Sequence, residues 1–318
     1  MSTMPEETSS RLALDSGLTV RPWAEGDDLQ LLEVWGDPEN SMHHADRGLL
    51  RPSSNEPWSR CIVAEHEGVP VAAATIFRSS LHPDRLSFYA EVAPEHRRRG
   101  VAAQLLEILE AELPNCGTQN LKARVSKHSA AQCFLKDNHF QKVQHSRRVT
   151  VQPGVLKLPD LDAAQLDLED LATGSVELTQ LVAEFYNAVH EWDRAEMTVG
   201  KAQQLLLAPE TGASGAVVLR DVSAEDRKPI LAFAISYTAE RTEDPADVLL
   251  GWDPQLDEEQ AGSVARALLA LVSARYPVTV EVDDSMGPLK QVTDELTDNG
   301  LADSDFEALI YARDLSTS

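Results

Sequence analysis

The chain has 318 residues, of which 42% are hydrophobic and 25% charged, a balance typical of a globular protein with a proper core. At roughly 100–200 residues per domain, this length predicts two domains. The net charge of −24 repels phosphate backbones and anionic membranes, which argues against nucleic-acid binding and membrane association. No apolar run approaches the ~18 residues of a membrane span, and the polar start is unlike a signal peptide, so we expect a cytoplasmic protein.

The first half of the sequence alternates between strand and helix patterns after a tail over 1–16, which we expect to be disordered. Alternating or β-branched stretches predict strands over 18–22, 58–65, 69–77, 86–92, 120–125 and 140–151. Apolar residues at helical spacing predict helices over 25–35, 100–113 and 129–136. The strands from 58 to 92 would form an antiparallel meander. This domain is expected to span 17–152.

The second half repeats this order of elements at an offset of about 161 residues, which indicates an internal duplication. Residues 153–174, with Pro159 and repeated Leu-Asp pairs, are interpreted as a linker. Strands are predicted over 216–220, 229–238, 248–252, 278–282 and 306–313, and helices over 176–190, 262–275 and 287–298. The sequence therefore predicts an α+β protein with two tandem domains, over 17–152 and 175–318, each a mixed, mostly antiparallel sheet flanked by helices.

The acidic charge is concentrated in the second half. Residues 1–150 contain 17 Lys and Arg against 20 Asp and Glu, whereas residues 151–318 contain 11 against 32. Such a field attracts a cationic partner, although solubility or adaptation to a salty cytoplasm is the simpler interpretation.

Neither a disulfide framework nor a metal site is expected. The three cysteines form no CxxC pair, and the adjacent His43 and His44 lack a third ligand at metal-binding spacing. Cys133 lies on the apolar side of a predicted helix, and we expect it in the core.

An anion site is predicted where strand 86–92 meets the following helix. The connecting residues read Ala93-Pro-Glu-His-Arg-Arg-Arg-Gly-Val-Ala102. The first turn of a helix has unpaired N–H groups and the positive end of the helix dipole, and a glycine there lets a diphosphate approach the main chain. The arginine triplet adds charge-assisted contacts.

This junction resembles the pyrophosphate-binding motif of the GNAT acetyltransferase superfamily, R/Q-x-x-G-x-G/A, here Arg97-x-x-Gly100-x-Ala102. The family's later motif, N-x-x-A-x-x-F-Y-x-x-x-G-F, is similar to residues 128–140. Its successive positions are occupied by His128, Ala131, Phe134, Leu135, His139 and Phe140. The resemblance covers about residues 18–150 and implies a GNAT fold for the first domain.

The resemblance also implies that this domain binds acetyl-CoA as a substrate. An acceptor amine would attack the thioester directly in a ternary complex, without a covalent enzyme intermediate. The pantetheine arm would be bound by the backbone around Ala90 and Val92, and the pyrophosphate by the main chain of Arg97, Arg98, Arg99, Gly100, Val101 and Ala102. His128 would contact CoA or protonate it, or else lie in solvent.

One departure from the family pattern concerns the general acid. Leu135 stands at the position of a frequent acidic Tyr and cannot protonate a thiolate. Tyr89 and Glu91, on one face of strand 86–92, are the candidate replacements. Glu91 would be a base, directly or through water, or else a surface carboxylate. Tyr89 would be an acid or a packing residue.

The second domain is expected to be catalytically silent. Its corresponding stretch keeps Pro254 and Gly262 but places Asp257, Glu258 and Glu259 near the position of the arginines. Three negative charges repel a diphosphate. Acidic residues at a helix N-terminus also have a purely structural value, since they stabilise its dipole.

Together these patterns predict an N-acetyltransferase that acts on a small-molecule or protein amine, with a cationic acceptor favoured by the acidic half. Leu135 and the degenerate second copy leave a non-catalytic CoA or acyl-CoA sensor, or an interaction module, as an alternative. The tandem arrangement is also similar to the mycothiol synthase family. That family keeps the phosphate motif in its second copy, so a mycothiol synthase-like acetyltransferase is a further alternative.

Overall fold

In a computed structural model, the chain is described over residues 12–14, 17–223, 228–238, 241 and 244–314. Two compact units divide it: Met1–Gln141 with Tyr311–Ser318, called unit 1, and Lys142–Ile310, called unit 2. Among the helices of the described ranges, none combines the length and the apolar character of a membrane span.

Unit 1 is a mixed sheet flanked by helices. Its strands are β1 (Leu12–Ala13), β2 (Thr19–Pro22), β3 (Ser54–Asn55), β4 (Trp58–His66), β5 (Val69–Arg78), β6 (Leu86–Val92) and β7 (Leu121–Ser126). Its helices are α1 (Asp27–Trp35), α2 (Ser41–Arg47), α3 (Val101–Glu110) and α4 (Ala131–Asp137). The strand order is β1-β2-β4-β5-β6-β7, with β3 beside β4. The β6–β7 pair is parallel, and the predicted antiparallel meander of β4, β5 and β6 is confirmed.

The core of unit 1 is built around β5, which is buried on both faces. Its small residues, Ala72 to Ala74, leave room for a helix on each side. Helices α1 and α3 both pack against this strand. Ala73, together with Leu31 of α1, belongs to a buried cluster on one face, and Tyr89 packs against the same cluster. Since side chains alternate along β6, Glu91 shares that face.

Unit 2 repeats this architecture. Its strands are β8 (Gln141–Val151), β9 (Leu166–Leu171), β10 (Ala213–Asp221), β11 (Ile230–Tyr237), β12 (Ala246–Trp252), β13 (Val278–Asp283) and β14 (Ala302–Arg313). Its helices are α5 (Val176–Val189), α6 (Val199–Ala202), α7 (Glu258–Val272) and α8 (Gly287–Asp298). The first residue of β8 and the last three of β14 are grouped with unit 1.

The register of the strands shows the duplication directly. In unit 1, Ala72 pairs with Val92, and in unit 2, Ala232 pairs with Trp252, so that both partners are displaced by 160 residues. The β12–β13 pair is parallel, like β6–β7, and the order β13-β12-β11-β10 matches β7-β6-β5-β4. The chain therefore contains two tandem copies of one α+β fold.

Strand β8 pairs with a different strand from the one expected. Residues 140–151 were predicted to close the first domain, but β8 pairs antiparallel with β13 of unit 2, from Ser146–Asp283 to Val151–Val278. After a duplication the two copies present similar sheet edges, and the alternation of a single strand does not indicate which edge it joins.

Two further segments differ from the prediction. The expected linker over 153–174 contains β9, which pairs with β10, because its Leu-Asp alternation has the period of an edge strand. In the expected disordered tail, Leu12 and Ala13 pair with β2. The tail residues 1–11, 15 and 16 lie outside the described residues.

Candidate active site

A cavity of about 890 Å³ lies in unit 1 where β6 and β7 separate. These two strands are described along their whole length, and their pairing stops after Ser87 and Lys122. Beyond that point, residues 88–92 and 123–126 line the cavity. The strand edges that face each other there have backbone N–H and C=O groups without a ladder partner, so they are available to a ligand.

The N-terminus of α3 forms another part of the wall, at Gly100, Val101 and Ala102. Gly100 is the N-cap, with φ of 77° and no side chain to cap the helix. The amides of the first turn therefore have no intrahelical partner. Arg98 is also left-handed, with φ of 62°. A left-handed residue in a turn can direct successive main-chain N–H groups toward a common anion, so the turn fits a pyrophosphate.

The three arginines of this turn differ in their contacts and in whether they line the cavity. Arg97 donates from Nε to the Val92 carbonyl at 2.8 Å, which ties the turn to the end of β6. Arg97 and Arg98 line the cavity, and Arg99 is not among the lining residues. All three side chains are exposed.

Glu91 is a buried carboxylate with several hydrogen-bond donors and is not a surface group. Its side chain is 8% exposed. Arg47 of α2 donates to both oxygens, from Nε to Oε2 at 2.8 Å and from Nη2 to Oε1 at 2.7 Å. Oε2 also accepts from the Tyr89 hydroxyl at 2.8 Å and lies 3.1 Å from His43 Nε2. The interpretation of Glu91 as a solvated surface carboxylate is therefore wrong.

These contacts decide the ionisation of the group. Burial raises the pKa of Glu91, but hydrogen bonds from Arg47, Tyr89 and His43 outweigh burial, so the pKa lies below that of an ordinary glutamate. Burial, followed by the charge of Glu91, raises the pKa of the Tyr89 phenol well above its usual value. Glu91 is consequently ionised at neutral pH, and Tyr89 is a hydrogen-bond donor whose proton is hard to remove.

The cavity brings together most of the predicted site residues. Its lining contains Tyr89, Ala90, Glu91, Val92, Arg97, Arg98, Gly100, Val101 and Ala102, and it lacks Arg99 and His128. His128 is exposed and left-handed, with φ of 66°. Leu135 lines the cavity although only 1% of it is exposed. Cys133 is exposed and lines the cavity, so its predicted place in the core is wrong.

Helix α2 was not predicted. The sequence interpretation considered His43 only with His44 as a metal-binding pair, and it did not single out Arg47. The helix has only seven residues, too few for a clear period. One signal was present: Asn40 is the N-cap and accepts from the His43 amide at 2.9 Å.

Two features of unit 2 close the position that corresponds to the cavity of unit 1 to a ligand. Asp257 caps α7 by accepting from the Gln260 amide at 2.8 Å, and the Gln260 side chain accepts from the Asp257 amide. By register, Gly251 stands where unit 1 has Glu91. A Cβ atom there would lie 2.4 Å from a Phe233 ring atom and 2.9 Å from one of Phe185, so a carboxylate does not fit.

Removal of the Asp257 cap tests this description of α7. We expect Asp257→Ala to lower the free energy of unfolding by about 0.5–2 kcal/mol, because an orphan amide of the first turn loses its acceptor. Urea denaturation measures this loss. Asp257→Asn, which keeps an acceptor oxygen, is the matched control, and an equal loss in both variants would contradict the capping role.

The strand order and the parallel strand pair, which recur in both units, are those of the GNAT acetyltransferase fold, whereas the uncapped helix turn is found in unit 1 and its counterpart in unit 2 is capped. Residues 57–142 match the family model of the acetyltransferase (GNAT) domain, and this part of the chain is therefore a GNAT domain.

Solved structures of the same fold span nearly the whole chain. A GCN5-related N-acetyltransferase from Sphaerobacter thermophilus aligns over 96% of this chain and 100% of its own, with a TM-score of 0.58 and 14% identity. A tandem GNAT protein from the clavulanic acid biosynthesis pathway aligns over 95% of this chain and 99% of its own, with a TM-score of 0.58 and 15% identity. A GCN5-related N-acetyltransferase from Kribbella flavida aligns over 93% of this chain and 71% of its own, with a TM-score of 0.52 and 17% identity. No protein of curated function matches the sequence.

Proposed function

We propose that unit 1 transfers an acetyl group from acetyl-CoA to an amine and that unit 2 is catalytically silent. The observation that carries this proposal is a single cavity lined both by the uncapped first turn of α3 and by the buried carboxylate of Glu91. An anion site and a proton acceptor in one cavity are what acyl transfer from CoA requires.

The chain's own groups suit the binding of acyl-CoA, which when bound supplies the thioester. The amides of Gly100, Val101 and Ala102 would bind the pyrophosphate, with Arg97 and Arg98 beside them. The edge of β6 at Ala90 and Val92, which has no partner on that side among the strands that the structure describes, would hydrogen-bond the pantetheine arm as an added strand does, and the Val92 carbonyl also accepts from Arg97 Nε. This arrangement places the thioester along β6, on the strand that bears Glu91.

In the proposed reaction, the amine nitrogen bonds to the thioester carbon, and the C–S bond breaks with its electron pair leaving on sulfur. The amine's proton passes to Glu91, directly or through a water, since this carboxylate is ionised at neutral pH. The Tyr89 hydroxyl donates to Glu91, and its raised pKa makes it a poor acid, so we assign Tyr89 to holding the base. Leu135 cannot donate a proton, and the departing sulfur would take one from solvent.

The acceptor is proposed to be an amine of a small molecule or of a protein, in the cytoplasm. The excess of acidic residues over 151–318 favours a cationic acceptor. The capped helix α7 and the aromatic packing on Gly251 support a silent unit 2. A CoA sensor is the second candidate, and the buried Leu135 at the family's usual acid position favours it.

Calorimetry with acetyl-CoA, followed by a thiol-release assay over a panel of amines, tests the proposal. We expect one CoA site per chain and turnover with at least one amine class. The panel includes small-molecule amines, peptide α-amines, lysine side chains and a cysteinyl amine of the mycothiol-precursor type. Tight binding without turnover on any amine favours the sensor, and selective turnover of the cysteinyl amine favours the mycothiol synthase-like alternative.

A further inference from the structure

Arg47 makes a bidentate contact with Glu91, and other groups also hold its side chain in place. Besides its two bonds to the carboxylate, its Nη1 donates to the Gly36 carbonyl at 2.6 Å. Its guanidinium carbon lies 5.2 Å from the centre of the Trp35 ring. Trp35 donates to the Val71 carbonyl at 3.1 Å. The orientation of Arg47 is therefore set by the end of α1 and by β5, and it does not depend on Glu91 alone.

His43 contacts the same carboxylate from the same short helix. Its Nδ1 lies 3.3 Å from the backbone amide of Glu39, a group that can only donate. Nδ1 therefore accepts, which leaves the ring proton on Nε2, facing Glu91 Oε2 at 3.1 Å. His43 thus acts as a neutral donor to Glu91. The adjacent His44 is exposed.

Hydrogen bonds from Arg47, Tyr89 and His43 favour the ionised form of Glu91. Arg47 and His43 approach from α2, and Tyr89 approaches from its own strand. Asp46 of α2 is buried and pairs with Arg124 of β7 at 2.6 Å, so its negative charge is compensated. Three donors occupy Oε2, whereas Oε1 accepts from Arg47 alone among the described residues. Without Arg47, a carboxyl group buried to this degree would favour its neutral form.

We propose that Arg47 and His43 are positioning residues for acetyl transfer, which keep Glu91 ionised and leave one lone pair of Oε1 to take the proton of the acceptor amine. This rests on the proposed function only in the role given to Glu91. Its consequence is that the pH dependence of the unaltered protein follows the ionisation of the acceptor amine.

The test compares the unaltered protein with Arg47→Met, Arg47→Lys, His43→Gln and the matched control His44→Gln. The titration of the Glu91 carboxyl carbon is followed by ¹³C NMR and assigned by its absence in Glu91→Gln. We expect its midpoint to rise by about 1–3 pH units in Arg47→Met, since one close opposite charge shifts a carboxyl by that amount. Arg47→Lys keeps the positive charge, so its midpoint should lie only slightly above that of the unaltered protein. His43→Gln should show a rise smaller than that of Arg47→Met, and His44→Gln should show none.

A second readout is the profile of kcat/KM against pH. In Arg47→Met, kcat/KM should show an additional loss below the Glu91 midpoint found by titration, on top of the loss set by the acceptor amine. His44→Gln should show no such additional loss. An unchanged Glu91 midpoint in folded Arg47→Met overturns the proposal. If Arg47→Met does not fold, Arg47→Lys decides. A lysine cannot make the two parallel hydrogen bonds of Arg47 to Glu91, so the midpoint should still rise measurably. The absence of any rise would then overturn the proposal. If no amine is acetylated by the unaltered protein, the proposed function fails, while the titration still decides the role of Arg47.

Discussion

Arg97→Glu should weaken CoA binding about 10- to 100-fold while leaving the protein folded. The side chain is exposed, and its Nε hydrogen bond to the Val92 carbonyl is the tie between the turn and β6. Reversal of its charge removes this tie and places a carboxylate beside a bound pyrophosphate. A charged hydrogen bond contributes about 1.5–3 kcal/mol, and each 1.4 kcal/mol is about tenfold in affinity.

Calorimetry with CoA measures the loss of affinity, and thermal unfolding reports the fold. Arg51→Glu is the matched control, because Arg51 is exposed in the same unit and does not line the cavity. Equal affinity in Arg97→Glu and Arg51→Glu would contradict the assignment of the anion site.

Glu91→Gln should reduce kcat/KM by about 10²–10⁴, the range that general acid–base catalysis contributes. The amide cannot accept a proton, and it leaves the first turn of α3 unchanged, so CoA affinity should stay the same. Steady-state kinetics and calorimetry together measure both quantities. Glu107→Gln, an exposed glutamate of α3 outside the cavity, is the control. A variant with full activity would remove Glu91 from the mechanism.

The same substitution should also change stability. Arg47 would face a neutral amide, and loss of one partner of a buried ion pair costs about 3–5 kcal/mol. Because the folded-state pKa of Glu91 is lowered, its contribution is present above the ordinary carboxyl value of about 4.3 and is lost as the pH falls through the lower folded value. Urea denaturation at pH 7 should therefore show the full difference between Glu91→Gln and the unaltered protein.

The parts of the site that sequence predicted are local in the chain. The strand 86–92, the turn and the helix that begins near residue 100 are adjacent, and each has its own signal in periodicity or in the position of glycine. Alternation along a strand also placed Tyr89 and Glu91 on one face, as their 2.8 Å contact confirms.

The parts that sequence did not predict depend on distant partners. Arg47 and His43 precede Glu91 by 44 and 48 residues, on a helix too short to show a period. Neither residue type indicates a buried carboxylate as its partner. The sequence allowed Glu91 to be a half-solvated group, and its burial and pairing as a carboxylate come from tertiary contacts.

Unit 2 shows the same limit. The acidic residues at the start of α7 indicated that a diphosphate would be repelled, yet their structural role is the reciprocal cap between Asp257 and Gln260. The closure of the site by Phe185 and Phe233 around Gly251 required three separate elements to meet.

A crystal structure of the protein with bound CoA tests the central claim most directly. We predict one CoA molecule per chain, with its pyrophosphate against the amides of Gly100, Val101 and Ala102 and its pantetheine arm along β6. CoA bound at the N-terminus of α7, or at any place outside the cavity between β6 and β7, would contradict it.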